Sequence, residues 1–439
     1  MTKTLKLTIA LLLLPAAGLF SQNETGMALR RHAEALTADS LLGRGAGSRG
    51  EKIAAAYIGN VFKEAGLDLL YPQPGQDFSI VNSPGDTLHS ANIIAVAEGY
   101  DPAFKEEFIL IGAHYDHLGS YTASINGRDT VLLYPGADDN ASGVAVMLEV
   151  AKMIKAQAFK FKRTVIFAAF GAEERGMLGS WYFANRGFGQ KEKISLMINL
   201  DMVGRGQKGD GLHVYTMMPH AELVTLLKDV ADQPLMPVPS VHTTPYFPSD
   251  HQVFSSEGIP VALFTTGLHR DYHSLRDRVS ELDYVTMEMT AQYVFELALS
   301  SANMTRPLSR TSLAVQPNEP GKTTGASEEN KLYKNYETDV PAKFLQGGEQ
   351  QFLDRWVYKY IKYPQSAVEK GIQGRVLIEF TVDKEGKVKD VDVIKSLDYD
   401  LDEAAVKAIS ASPDWKPAVK GNRRVAVRIA VPVEFRLKR

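Results

Sequence analysis

Between residues 91 and 302, short apolar runs alternate with segments of helical spacing. Runs such as Phe108–Ala113, Thr164–Phe170 and Ile194–Leu200 are apolar at nearly every position rather than at every second one. A strand of this kind must be covered on both faces, which is typical of parallel strands connected by helices. The sequence therefore predicts an α/β fold with a mostly parallel central sheet and helices on both faces.

Candidate metal ligands follow four of the predicted strands, the fourth being Pro260–Thr265. In open α/β sheets, sites form beyond the carboxyl ends of the strands, so these side chains are expected to meet at one edge. They are, in chain order, His114 and Asp116, then Glu173 and Glu174, then Asp201, and finally His273.

An acidic segment, Gly136–Gly143, precedes a predicted helix and adds Asp138 and Asp139. A carboxylate before a helix is often only an N-terminal cap, so this segment alone does not separate a cap from a ligand. Together with the strand ends, it predicts that Asp139 is a ligand shared by two metal ions. Asp138 is predicted to make loop hydrogen bonds instead.

The predicted ligand set is suited to two divalent ions. Its three carboxylates carry three negative charges, and a bridging hydroxide would balance the four positive charges of the ions. If Asp139 bridges, each ion has three protein ligands and an open position, as in catalytic zinc sites. Zinc suits mixed imidazole and carboxylate ligands, although manganese or cobalt could occupy the same set. Asp116 is predicted to accept the second imidazole N–H of His114. The set comprises His114, Asp139, Glu174, Asp201 and His273.

The adjacent acids Glu173 and Glu174 cannot both point the same way. One can bind metal while the other acts as a general base that removes a proton from the attacking water. Structural roles are favoured for His117, His251 and His269, with His251 also a candidate to line the pocket. The glycine- and arginine-rich segment Gly43–Gly50 lacks the context of a phosphate-binding loop and is predicted to be a surface loop. The histidines without ligand context are His32, His89, His213, His220 and His242.

Six short motifs closely resemble those of the co-catalytic zinc aminopeptidases, a family that includes secreted bacterial leucyl-type enzymes. The resemblance covers about residues 27–302. The motifs are Gly112–Gly119, Gly136–Val144, Phe170–Gly176, Asn199–Met202, Ser249–His251 and Tyr272–His273.

The resemblance implies a di-zinc aminopeptidase that removes N-terminal residues from peptides. It implies that Glu173 is the general base and that Tyr272 stabilises the tetrahedral oxyanion, with Tyr246 as the alternative. It implies one zinc bound by His114, Asp139 and Asp201, and a second bound by Asp139, Glu174 and His273.

Other functions remain open on the same residues. The fold also occurs in glutaminyl cyclases and carboxypeptidase-like enzymes. The presence of both His114 and Asp201 argues against a one-zinc cyclase, and no substrate-binding arginines of a carboxypeptidase are identified. A further alternative is a non-catalytic binding protein that acts through its C-terminal domain.

Residues 303–338 have no apolar period and are predicted to be a flexible linker to a small α+β domain at 339–439. Alternating strands and the motifs Gln373–Val376, Phe380–Asp383 and Trp415–Pro417 resemble the C-terminal domain of TonB, over about residues 340–438. That family contacts outer-membrane receptors by strand pairing. The resemblance implies a docking module for an outer-membrane or envelope protein, and the alternative is an appendage with no partner.

Residues 1–21 are predicted to be a cleavable signal peptide, because a start containing Lys3 and Lys6 precedes the apolar stretch Leu7–Phe20. We expect a periplasmic or secreted protein without a stable membrane span after cleavage, and an uncleaved anchor is the alternative. Cleavage removes two lysines and no acids, so the net charge falls from −3 to −5. This charge excludes a basic nucleic-acid footprint, and the absence of cysteine excludes thiolate chemistry.

Overall fold

The structure is a computed structural model. The chain forms two compact units, residues 1–315 and 316–439. None of the helices it describes is long and apolar enough to cross a membrane. The described residues are 14–83, 86–125, 128–206, 211–244, 246–310, 332–335, 338–345, 347–369, 372–395, 397–421 and 423–437.

The first unit contains helices and strands throughout the part of the chain that the structure describes. Its helices are α1 (Leu14–Leu36), α2 (Arg49–Glu64), α3 (Gly143–Ala156), α4 (Leu178–Tyr182), α5 (Ala221–Ala231), α6 (His251–Ser255) and α7 (Tyr284–Asn303). Its strands are β1 (Asp68–Leu69), β2 (Gln76–Ser83), β3 (Asp86–Ala97), β4 (Phe108–His114), β5 (Ser120–Ile125), β6 (Arg128–Leu133), β7 (Thr164–Phe170), β8 (Ile194–Leu200), β9 (His213–Tyr215), β10 (Ser240–His242) and β11 (Val261–Thr265).

The central sheet has the strand order β1-β3-β7-β4-β8-β11-β9-β10, with β2 paired to β3. The four central strands β7, β4, β8 and β11 run parallel, while β3 and β9 join them antiparallel. This confirms the predicted fold class. In the parallel register His114 pairs with Phe170, and Phe264 pairs with Leu200, so the carboxyl ends of these strands are level.

The strands are buried on both faces, as their composition predicts. Along β4, Ile109 and Ile111 belong to the larger apolar core, while Phe108 and Leu110 belong to a second core on the opposite face. Each of the strands β4, β7 and β8 has seven residues, and all of them are buried. Because the core on each face excludes water from these strands, the polar residues that follow them are held on rigid supports.

Between β4 and α3, the strands β5 and β6 form an antiparallel hairpin. The helix α4 is short and ends at Tyr182. One local prediction was partly wrong. The Gly43–Gly50 segment is not a surface loop throughout, because Arg44 is 1% exposed.

The second unit contains a four-stranded sheet of order β12-β17-β13-β14 and a small separate hairpin, β15–β16. Val376, Ile378, Phe380 and Val382 alternate into its core, as predicted. The elements are β12 (Tyr333–Lys334), α8 (Glu349–Phe352), α9 (Tyr358–Tyr360), α10 (Gln365–Glu369), β13 (Gly374–Val382), β14 (Val388–Lys395), α11 (Tyr399–Ser410), β15 (Ala418–Lys420), β16 (Arg423–Val425) and β17 (Val427–Phe435).

Two predicted segments fall partly outside the described residues. These are residues 1–13 of the signal peptide and residues 311–331 and 336–337 of the linker. The start of the predicted linker is bound to the first unit, because the Ser309 N–H and hydroxyl both donate to the Glu222 carboxylate, at 2.8 and 2.9 Å.

Candidate metal centre

The level ends of the parallel strands bring the predicted ligands together. His114 is the last residue of β4, Asp201 directly follows β8, and Glu174 follows β7 in a short turn. His273 comes from the loop after β11, and Asp139 from the turn before α3. Contacts link these five side chains in two groups that share Asp139.

The first group consists of His114, Asp139 and Asp201. The His114 Nε2 atom lies 3.3 Å from Asp139 Oδ1 and 3.5 Å from Asp201 Oδ1. All three residues are buried, with at most 3% of their surface exposed. The two carboxylates outweigh the opposing effect of burial and raise the pKa of His114 well above its ordinary value.

The second group contains Asp139, Glu174, His273 and a residue outside the predicted set, His117. The His273 Nε2 atom lies 2.9 Å from Asp139 Oδ2 and 3.1 Å from Glu174 Oε1. Burial alone would raise the pKa of Glu174, but His273 and His117 hold it below its ordinary value.

The geometry of both groups fits metal ions. Ligand atoms bonded to zinc at about 2.0–2.2 Å in a tetrahedron lie about 3.3–3.6 Å apart, close to the distances above. His273 Nε2 approaches Asp139 Oδ2 at 2.9 Å, but not in hydrogen-bonding geometry, so this oxygen is buried without a hydrogen bond among the described residues, as is His273 Nδ1. A buried carboxylate oxygen in this state is costly, and a bound cation would compensate it.

Glu173 does not belong to either metal group among the described residues. Burial, with the Asp250 and Glu174 carboxylates adding to it, raises the pKa of Glu173 well above its ordinary value, although His114 opposes this. Such a shift is common in general bases.

Asp116 supports this site differently from the prediction. The His114 Nδ1 atom lies 3.2 Å from the Asp116 backbone oxygen and 3.8 Å from its carboxylate. The carboxylate instead accepts the backbone N–H groups of Glu173, at 2.8 Å, and Glu174, at 3.3 Å. The carbonyl therefore orients His114, and the carboxylate holds the turn that carries the two acids.

Backbone conformation is unusual at several of these positions. Ala172, Met202 and His273 have φ values of 55°, 58° and 52°. These are left-handed conformations that residues other than glycine seldom adopt. Each lies at or next to a site residue, a pattern found where function constrains the backbone.

Asp139 is not a helix cap. The Gly143 N–H, at the start of α3, donates to the side-chain oxygen of Asn140 at 3.0 Å, so Asn140 rather than Asp139 bonds to the start of this helix. The carboxylate of the buried Asp277 accepts the N–H groups of Asp138, at 2.9 and 3.1 Å, and Asp139, at 3.0 Å. Asp277 thus holds the turn so that the Asp139 carboxylate points into the cluster.

Asp138 makes the loop hydrogen bonds predicted for it. Its Oδ1 atom accepts the Gly204 N–H at 2.7 Å, and Oδ2 lies 3.1 Å from His269 Nε2. Asp138 is fully buried. His269 therefore has a structural contact, as favoured from the sequence.

Arg44 was missed by the sequence analysis. Its guanidinium donates to the backbone oxygens of Leu36, Tyr115, Pro135 and Gly136. Burial lowers the pKa of Arg44 to about 10, while nearby carboxylates that include Asp139 oppose this shift. Arg44 therefore remains a cation near neutral pH and offsets part of the negative charge of these carboxylates. Its four acceptors are dispersed in sequence, so only the fold could identify this role.

Glu51 lies beneath the turn that carries Glu173. It is 1% exposed, accepts the Gly47 N–H at 2.6 Å and accepts the Ser90 hydroxyl at 2.5 Å. A Cβ on Gly171 would lie 3.0 Å from its Oε1 atom. Burial raises the pKa of Glu51 to about 7, although its hydrogen bonds oppose the shift.

We expect Glu51 to make the metal-free protein less stable as the pH rises from about 4.5 to 7. The folded state binds this proton more tightly than the unfolded state, so stability is lost across that window and not above it. The loss is at most about 3 kcal/mol, from 1.36 kcal/mol per pKa unit. Urea unfolding of the wild type and Glu51→Gln at pH 4.5 and 8 measures it. A stability difference between them that is the same at both pH values would contradict the prediction.

The predicted oxyanion residue Tyr272 stacks on His273, with ring centroids 3.7 Å apart. Burial, with the neighbouring carboxylates adding to it, raises the pKa of Tyr272 well above its ordinary value, so its phenol keeps its proton. The alternative, Tyr246, comes from the segment before α6 and contacts the start of the same loop, where its hydroxyl accepts the Leu268 N–H at 3.4 Å.

His251 is fully buried behind the ligands. Its ring lies 3.1 Å from Met217 Sδ and 3.5 Å from the Asn199 amide. Burial lowers the pKa of His251 to about 3, so the ring is neutral. These contacts agree with the structural role favoured from the sequence.

Two parts of the chain are similar to known families. Residues 92–298 match the sequence profile of Peptidase family M28. Residues 359–437 match the profile of the Gram-negative bacterial TonB protein C-terminal.

Two curated relatives resemble the first unit. A probable zinc metalloprotease of Pyrenophora tritici-repentis is 33% identical over 39% of this chain and 38% of its own length. Aminopeptidase YwaD of Bacillus subtilis is 29% identical over 47% of this chain and 43% of its own length. The chain thus matches less than half the length of either relative.

The fold is also that of solved aminopeptidases. A zinc aminopeptidase from Bacillus subtilis superimposes with a TM-score of 0.50 and 18% identity, covering 62% of this chain and 93% of that one. Residues 92–298 are thus similar to Peptidase family M28, and residues 359–437 are similar to the TonB C-terminal domain.

Proposed function

We propose that the first unit is a two-zinc aminopeptidase that removes residues from the N-termini of peptides. One observation carries this proposal: two groups of ligand atoms share Asp139, and an acid outside both groups, Glu173, lies beside them. Two ions that share a carboxylate lie close enough to act on one substrate group. The similarity to aminopeptidase YwaD supports an exopeptidase over other hydrolases.

When bound, the zinc ions would polarise the scissile carbonyl and make water a stronger nucleophile. His114, Asp139 and Asp201 would hold one ion, and Asp139, Glu174 and His273 the other. Manganese or cobalt could occupy the same ligands.

The remaining residues act on the proton and on the developing charge. Glu173 accepts the proton of the attacking water and returns it to the leaving amine. Asp116 keeps Glu173 in place through its backbone N–H. The protonated phenol of Tyr272 is the donor proposed for the developing oxyanion.

Aminoacyl-4-nitroanilides test the activity, with N-acetylated analogues as matched controls because they lack the free amine. We expect cleavage of free-amine substrates only, its loss with a chelator and its recovery with zinc. Sequential N-terminal loss from a tripeptide, followed by mass spectrometry, separates an aminopeptidase from a carboxypeptidase. Cyclisation of a glutaminyl substrate without cleavage would support the cyclase alternative. A zinc-loaded protein that cleaves no substrate of the panel would overturn the proposal.

For the second unit, we propose a docking role at the cell envelope after export to the periplasm or beyond. Among the described residues, β14 pairs only with β13 and leaves its other edge open for a partner strand. Co-sedimentation with outer-membrane vesicles tests this by comparing the full chain with one that ends at residue 315. Equal sedimentation of the two would contradict a docking role.

A further inference from the structure

His117 lies against the ligands but belongs to neither predicted ligand set. Its Nδ1 atom is 2.9 Å from Glu174 Oε1 and 3.8 Å from Asp139 Oδ2. The same Glu174 oxygen lies 3.1 Å from His273 Nε2. A carboxylate oxygen has two lone pairs, so Oε1 can face an ion and accept an N–H at the same time.

The His117 ring is held by contacts on several sides. Its backbone N–H donates to the Arg44 oxygen at 3.1 Å. A Cβ on Gly136 would lie 2.5–2.6 Å from the His117 ring, so the ring packs against position 136 closely enough that only glycine fits there. The rings of Tyr134 and His273 contact it edge-on, with centroids 6.3 and 5.6 Å away. The ring therefore has little freedom to turn away from Glu174.

The chemistry of the pair determines which atom donates. An ionised carboxylate only accepts hydrogen bonds, so the proton of a neutral imidazole must lie on Nδ1. The His117 Nε2 atom is buried with no partner among the described residues. In the Nδ1–H tautomer, the unpaired atom is the neutral Nε2, whereas in the other tautomer the buried Glu174 carboxylate would lose its donor. The first costs less free energy, so the Nδ1–H tautomer is favoured.

We propose that His117 is a positioning residue that donates Nδ1–H to Glu174 and holds its carboxylate towards the second ion. This inference rests on the two-metal function proposed above. Without the hydrogen bond, the flexible Glu174 side chain would have to be ordered by the ion alone, which would weaken binding at that position. Loss of such a supporting contact typically weakens metal affinity by about 10–100-fold.

The test is zinc titration of the full metal-free chain by calorimetry, with metal content measured independently. His117→Leu removes the donor, whereas His117→Asn places an amide N–H near the position of Nδ1. We expect about 10–100-fold weaker affinity for one ion in His117→Leu. We expect His117→Asn to recover most of that loss, and the other ion to bind as in wild type.

Controls separate this inference from folding and from the proposed function. His89→Leu removes an exposed imidazole elsewhere in the unit and should bind zinc as wild type does. Thermal unfolding of the metal-free variants shows whether each one folds. A wild-type chain that does not bind two ions would refute the proposed function itself.

If the wild type binds two ions, two outcomes would overturn the role of His117. Equal affinity in His117→Leu would show that Glu174 needs no support. A loss in His117→Asn as large as that in His117→Leu would show that the imidazole is a ligand rather than a donor.

Discussion

Glu173→Ala is expected to lower kcat by about 10²–10⁴-fold while two zinc ions remain bound per chain. The factor is the usual contribution of a positioned general base. Metal content should persist because Glu173 belongs to neither ligand group among the described residues. Steady-state kinetics with an aminoacyl-nitroanilide and metal analysis of the same samples provide the measurement.

The neighbouring acid supplies the matched comparison for this result. Glu174→Ala should lose one ion, because its Oε1 atom lies 3.1 Å from His273 Nε2 within the second group. The exposed Arg175 follows in the same turn, and Arg175→Ala should keep both metal and activity. If Glu173→Ala lost metal and Glu174→Ala did not, the roles of the two acids would be exchanged.

Asp139→Ala is expected to weaken both metal positions together. Its Oδ1 atom faces His114 and its Oδ2 atom faces His273, so each group loses one of its ligands. With two protein ligands left for the first ion, we expect activity to disappear at stoichiometric zinc. Calorimetric titration should show both affinities falling, and one ion retained at wild-type affinity would refute a bridging role.

Asp138→Asn is the control for this change. Asp138 is as buried as its neighbour, but its carboxylate contacts Gly204 N–H and His269 rather than the other ligands. We expect this variant to lose stability, seen as a lower midpoint of thermal unfolding, and to keep two metal positions. Reduced zinc affinity equal to that of Asp139→Ala would show that the turn as a whole, rather than the Asp139 carboxylate, creates the site.

Much of the site could be predicted from the sequence because parallel strands impose a simple rule. Apolar runs buried on both faces indicate parallel strands, and their carboxyl ends meet at one edge. The position of a polar residue relative to that edge can therefore be predicted to within a residue or two when it directly follows such a run. This is why His114, Glu174 and Asp201 could be brought together from their positions alone.

The supporting contacts could not be predicted in the same way. Asp277 binds the backbone of Asp139, Arg44 binds four separate backbone oxygens, and Glu51 lies beneath the Glu173 turn. Each contact joins segments distant in sequence, and each depends on the conformation of a loop. The Asp116 prediction shows the same limit, because the spacing identified the correct pair but not whether the carbonyl or the carboxylate contacts His114.

The sequence by itself determined the fold class, the strand ends that carry the predicted ligands and the resemblance to two families, since these depend on local pattern and spacing. Only the tertiary structure decided that Asp139 is held by Asp277 rather than serving as a helix cap, and that His117 contacts Glu174. The physical reason is that hydrogen bonds to buried carboxylates come from whatever donors the folded loops bring near. Those donors leave no periodic signal in the chain.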